Sequence, residues 1–379
     1  MRPGVRYILN SNAIKAKSRL ELFASFALLL KLIGNNIKLL PFEITEKNHN
    51  QSTQRRKKMI RKVFPLFFAA LLMTFSGQAM AGGSQSYPNG AEAFMAGAVP
   101  PPGFYFLDYM YYYNADTMKD DNGDDIAAFD DVSVLANVFR FLWVSDKQIL
   151  GGNYGMHAFL PILSTDLSFN APVGPESTKS YDDTNVPYVI VSPFILAWHL
   201  QEGKLHLVTS LADIYIPTGQ DDGNMASVGR NFWTIEPVFG ITYMTNGWEF
   251  SGKFMYDFST SQDDYATVYG FNVDRDPGQE FHFDYSASYE VSPGLRLGLN
   301  GYYYTQTTDD SYDIDSSLPA PVQALLKEDE GNHSQVFAAG PGIWYNYKNM
   351  FFSLRNQWEM AAKNKTEGYN VWAKFTYAF

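Results

Sequence analysis

The last eleven residues, YNVWAKFTYAF from Tyr369 to Phe379, place Tyr369, Val371, Ala373, Phe375, Tyr377 and Phe379 on one face of an extended chain, with Asn370, Lys374 and Thr376 on the other. Successive side chains of a strand point to opposite faces, so this segment has an apolar side and a polar side along its whole length. The period recurs upstream. Phe281, Phe283, Tyr285, Ala287, Tyr289 and Val291 oppose His282, Asp284, Ser286, Ser288 and Glu290. Likewise Trp248, Phe250, Phe254, Tyr256 and Phe258 oppose Glu249, Ser251, Lys253, Asp257 and Ser259. Alternation of this kind is strand periodicity, not helix periodicity.

In a membrane barrel the apolar face of such strands turns outward and the polar face inward. A mean hydropathy of −0.22 conceals this, because hydrophobic residues sit on alternate positions. An aromatic content of 16% fits interfacial girdles. The closing strand, ending on an aromatic, resembles that of bacterial outer-membrane barrels. The expected fold is all-β: a transmembrane antiparallel up-and-down barrel in the outer membrane of a Gram-negative bacterium. Turn signals delimit twelve strands at about 103–113, 129–143, 152–166, 188–200, 204–216, 230–244, 248–260, 279–291, 294–307, 334–347, 350–362 and 368–379. Every second connection is tight (QEG, TNG, SPG, KN), whereas most others are long and polar, so both termini are predicted periplasmic. Two strands depart from the pattern. Both faces of 188–200 are apolar, and Asp213 shares a face with Leu205 and Leu207, which a β-bulge would resolve.

From Met59 the sequence MIRKVFPLFFAALLMTFSGQAMAGG has a basic n-region (Arg61, Lys62), an apolar run from Val63 to Phe75 and Ala79-Met80-Ala81 as a cleavage site. Residues 59–81 read as a signal peptide, and 1–58 as an over-extended reading frame outside the mature protein. Residues 1–81 hold 14 Lys+Arg and 3 Asp+Glu, which leaves 29 − 14 = 15 basic and 40 − 3 = 37 acidic residues in 82–379, a net of −22. Such a balance excludes a nucleic-acid partner, whose phosphates need a basic surface. Zero cysteines exclude thiolate chemistry.

The segment YPNGAEAFMAGAVPPPGFYF, residues 87–106, is similar to the opening of the phenol meta-pathway degradation family of outer-membrane proteins, and FLPILSTDLSF, SPFILAWH and LADIYIPTGQ fit the same resemblance. It covers essentially all of 82–379. The resemblance implies a channel or transporter and, through the family's association with aromatic catabolism, small hydrophobic or aromatic solutes. A closed barrel with a structural or surface-interaction role is the alternative.

Residues 82–102 precede the barrel, 103–379. Pro100, Pro101 and Pro102 cannot donate ladder hydrogen bonds, and Glu92 is the only charge between Gly82 and Phe106. Apolar Ala91, Ala93, Phe94, Met95 and Ala96 need cover, so the segment is expected to tuck into the lumen as a plug through Phe94, Met95 and Pro100–Pro102. Alternation assigns Glu236, Glu249, Lys253, Asp257, His282, Asp284, Glu290, Arg296, Arg355, Glu359 and Lys374 to the lumen, either as a salt-bridge filling or as a constriction.

No catalytic machinery is expected. None of the six histidines (His49, His157, His199, His206, His282, His333) precedes Ser-Asn-Gly as in outer-membrane phospholipases. No cofactor or metal is expected either: Asp120-Asp121-Asn122-Gly123-Asp124-Asp125 lacks EF-hand spacing. Expected partners are outer-membrane lipid, lipopolysaccharide bridged by cations to the acidic loops, a small-molecule solute, and the outer-membrane assembly machinery acting on Phe379.

Overall fold

The computed structural model describes residues 86–170, 179–219, 225–267 and 269–379. The readings of 1–58 and of the signal peptide, with Ala79 and Ala81, lie outside the described residues. Strands in chain order are β1 (Gly103–Lys119), β2 (Phe129–Ile149), β3 (Gly152–Phe169), β4 (Lys179–Asn185), β5 (Tyr188–Leu200), β6 (Leu205–Pro217), β7 (Thr234–Thr245) and β8 (Trp248–Ser259). They continue with β9 (Gln262–Ala266), β10 (Asn272–Asp276), β11 (Glu280–Ser292), β12 (Leu295–Gln306), β13 (Ser311–Tyr312), β14 (Gln335–Tyr347), β15 (Met350–Lys363) and β16 (Lys365–Ala378). Among the described residues one α-helix, α1, spans Ala320–Asp329.

Twelve of the strands, β1-β2-β3-β5-β6-β7-β8-β11-β12-β14-β15-β16, pair in that order, every pair antiparallel, and β1–β16 pairing closes the ring. Closure leaves no unpaired edge, which is what permits strands to span a bilayer. Outward positions carry the apolar set: Trp248, Phe250 and Phe258 are 46–47% exposed, whereas inward Glu249 and Asp257 are at most 1% exposed. At the tight-turn end, Trp248 lies 5.1 Å from Tyr289 and Phe104 5.5 Å from Phe379, part of an aromatic band. The β7–β8 turn places Asn246 and Gly247 at positive φ (49° and 83°), the combination a two-residue hairpin requires.

The two irregular strands each contain a bulge. In β6 the β6–β7 register shifts between Ser210 and Asp213, so both residues are buried while Leu211 is 64% exposed. In β5, Pro193 has no N–H for the ladder, and the β3–β5 register shifts beside it. Buried positions run Tyr188, Ile190, Ser192 before Pro193 and resume at Ile195 after it, which makes both faces look apolar in sequence. The 307–334 loop, expected to be merely polar, contains α1. Pro319 precedes its first turn, and Val322 and Leu326, one helical turn apart, pack with Val273 over the β9-β10-β13 sheet at the long-loop end.

Candidate functional site

Six inward carboxylates gather on one side of the barrel, with Lys253 of β8 among them, while Glu359 lies on β15. One wall, built from β6, β7, β8 and β11, carries Asp213, Glu236, Glu249, Asp257, Glu280 and Asp284, all at most 3% exposed. Register explains the row: Asp213 faces Glu236 across β6–β7, and Asp257 faces Glu280 across β8–β11. Arg140 on β2, Arg355 on β15 and Lys374 on β16 lie across the lumen.

Residues 86–102 run between these walls, and several polar groups of the segment bond to charged side chains of one wall or the other. Asp284 accepts three hydrogen bonds, from Tyr87 Oη (2.8 Å), Gly90 N (2.8 Å) and Glu92 N (2.9 Å). Glu249 accepts from Met95 N at 3.0 Å and is held by Ser288 Oγ at 2.6 Å. From the basic wall, Arg355 donates to the carbonyls of Gly90 and Ala91, both at 2.8 Å. The lone segment charge, Glu92, receives Arg140 at 2.9 Å, Lys374 at 2.6 Å and Tyr109 Oη at 2.7 Å. Burial alone would push this carboxyl up, but Lys374 and then Arg140 hold it well below the usual carboxylate range. Gly97 donates to Thr242 Oγ1 at 2.9 Å, and a Cβ built there would stand 2.3 Å from the Ile241 backbone, so only glycine permits this approach.

The segment lies between two cavities. One, of about 620 Å³ at the tight-turn end, is lined by Phe94, Met95, Leu107, Leu142, Ile195 and Val238 among others. The second, of about 360 Å³ toward the long loops, is lined by Tyr87, Tyr111, Tyr113, Val132, Tyr302 and Glu359 among others. Of the candidate plug residues, Phe94 is 6% exposed and Met95 half-buried, while Pro101 and Pro102 are exposed at the entry to β1.

The remaining candidates divide by position. Lys253 sits over the Tyr87 ring at 4.7 Å, next to the segment. Glu359 is held by Tyr113 Oη at 2.7 Å and Tyr302 Oη at 2.5 Å, on the long-loop side. Arg296 pairs with Glu290 at 3.2 Å and donates to Gly247 O at the tight-turn rim, apart from the segment. Glu236, Asp257 and His282 converge in the acidic wall, brought together from three strands. Sequence reasoning missed Arg140, His157 and Asp213 as a connected set. Arg140 Nη2 lies 2.9 Å from His157 Nδ1, and His157 Nε2 lies 3.3 Å from Asp213. The available signal was the isolated Glu92, a charge that needs a buried cationic partner.

Residues 115–375 match the family model described as "Putative MetA-pathway of phenol degradation", and the chain belongs to that family. No curated protein matches it in sequence. Among solved structures it is similar to an outer membrane channel from Pseudomonas putida F1, with TM-score 0.60 and 13% identity over 75% of this chain and 98% of that one. A FadL homologue of Pseudomonas aeruginosa matches at TM-score 0.35, with 9% identity over 80% of this chain and 100% of that one. The autotransporter translocator domain NalP from Neisseria meningitidis matches at 0.41, with 11% identity over 75% and 91%. The fold is that of the outer-membrane β-barrels.

Proposed function

We propose that this member of the family is a channel for small apolar or aromatic molecules, and that residues 86–102 act as its internal closure. One observation carries the reading: an otherwise charged lumen holds a segment docked to both walls, with a largely apolar cavity beside it. A pore for hydrophilic solutes has no use for Phe94, Leu107, Leu142 and Ile195 around this cavity, whereas an apolar solute gains by leaving water for such a lining. The family's printed description, phenol degradation, points to the same solute class. The tight turns then face the periplasm and the acidic loops face outward, where cations bridge them to lipopolysaccharide phosphates.

The test is uptake of a labelled phenol or alkylbenzene by cells expressing the full chain, against an empty vector and against a chain lacking residues 87–102. Faster uptake than the vector supports the channel. If neither form exceeds the vector while both fold into the outer membrane, the barrel is closed and structural.

A further inference from the structure

The acidic wall contains a group of side chains that the docking of the segment does not use. Glu236 on β7, Asp257 on β8 and His282 on β11 are 0%, 1% and 1% exposed, and each places one ligand-capable atom within 4.8 Å of the others. Pro237 contributes to the arrangement. It has no N–H, and the β7–β8 ladder is interrupted between Ile235/Phe258 and Val238/Met255, where Glu236 and Asp257 lie.

The imidazole stands off from both carboxylates. His282 Nε2 stands 3.6 Å from Glu236 Oε2 and 3.5 Å from Asp257 Oδ1, beyond ordinary N–H···O length. Glu236 Oε1, both Asp257 oxygens and both His282 nitrogens have no hydrogen-bond partner among the described residues. Buried polar atoms are rarely left so. The separations have a simple reading. Two ligands bound at about 2.1 Å to one tetrahedral ion stand about 3.4 Å apart, close to both histidine–carboxylate distances.

We propose that Glu236, Asp257 and His282 bind a divalent transition-metal ion of the zinc class within the barrel wall. One imidazole and two carboxylates suit such an ion, leaving a fourth position for water, whereas calcium and magnesium favour all-oxygen sets. Tyr215 Oη donates to Glu236 Oε2 at 3.1 Å and fixes that carboxylate from behind. The Tyr87 ring lies against His282 at 4.7 Å while its hydroxyl holds Asp284, so the ion site abuts the lumenal segment.

The experiment uses the full mature chain refolded in detergent, with folding checked by heat-modifiable electrophoresis, and titrates Co²⁺ as a spectroscopic probe with Zn²⁺ in competition. One equivalent of Co²⁺ should give visible d–d bands of a four-coordinate site, and Zn²⁺ should abolish them. His282→Gln and Asp257→Asn should each weaken binding at least about 100-fold, since loss of even an outer-shell partner costs 10- to 100-fold. X-ray absorption of the wild-type Zn²⁺ form should show a single imidazole nitrogen, a readout independent of whether the variants fold. Folded wild-type protein that binds no Co²⁺ would overturn the proposal, as would equal binding by His282→Gln, which assigns the ion to the acidic loops. A wild-type spectrum with oxygen ligands alone would overturn it too.

Discussion

Replacing Asp284 with alanine should release the lumenal segment without opening the barrel. Asp284 accepts hydrogen bonds from Tyr87 Oη, Gly90 N and Glu92 N, and the substitution leaves three donors, two of them buried, unpaired in the docked state. Bonds to a charged acceptor contribute about 1.5–3 kcal/mol each, so the lower end sums to roughly 4.5 kcal/mol. That corresponds to about a 10³-fold rise in the undocked population, each 1.4 kcal/mol being a factor of ten. Arg355 and the Glu92 ion pairs still hold the segment, so the docked form need not vanish. Single-channel recording in planar bilayers reads the change as frequent transitions to a larger conductance that the wild type visits rarely. Asp284 lies on the inner face of β11, so heat-modifiable electrophoresis should show an intact barrel. Unchanged gating in a properly folded Asp284→Ala barrel would refute the argument that these bonds hold the segment in place.

Gly97→Ala should act in the same direction from the opposite cause, because its Cβ meets the Ile241 backbone; bilayer recordings should again show more open events, with strand content unchanged by circular dichroism. At the long-loop end, Asp329 is pushed up to about 6, chiefly by burial, against a lowering hydrogen bond from Tyr269 at 2.6 Å. A raised carboxyl favours the folded cap below its unfolded value near 3.9, and the contribution is lost as pH rises through about 6, at most about 3 kcal/mol in all. Hydrogen exchange across α1, corrected for intrinsic rates, should therefore show more protection at pH 5 than at pH 7.5, and Asp329→Asn should remove most of the difference. Deleting Phe379, whose N–H donates to Phe104 O at 3.1 Å as the ring closes, should lower the folded yield in outer-membrane fractions without producing a helical or soluble protein.

The barrel was legible because its signal is local. Alternation in β8, β11 and β16 assigns the lipid and lumen faces with no knowledge of neighbours, and the tight turns set the hairpin order. Asp213 and Pro193 mark where that logic fails in sequence and why: a bulge moves one residue out of phase, and the mismatch is itself the trace of the bulge. The helix α1 was missed because ten residues with two buried side chains give too short a period to stand out from a polar loop. The wall chemistry was only half legible. Alternation points Glu236, Asp257 and His282 inward, but their convergence depends on register between three strands, which no local pattern encodes. The partners of Glu92 were hidden for the same reason, since Arg140 and Lys374 are 48 and 282 residues away in the chain.

The proposed closure of the lumen by residues 86–102 is tested most directly by the conductance of a barrel without them. A chain retaining Gly103 onward keeps every strand of the ring, because the segment contributes no ladder bonds to it. In planar bilayers at matched salt, the form lacking residues 87–102 is predicted to show larger and longer-lived conductance steps than the form that keeps them. Its selectivity should favour cations at low salt, given the net charge of −22 over 82–379. Identical conductance in the two forms, with both barrels shown to be folded, would contradict the account.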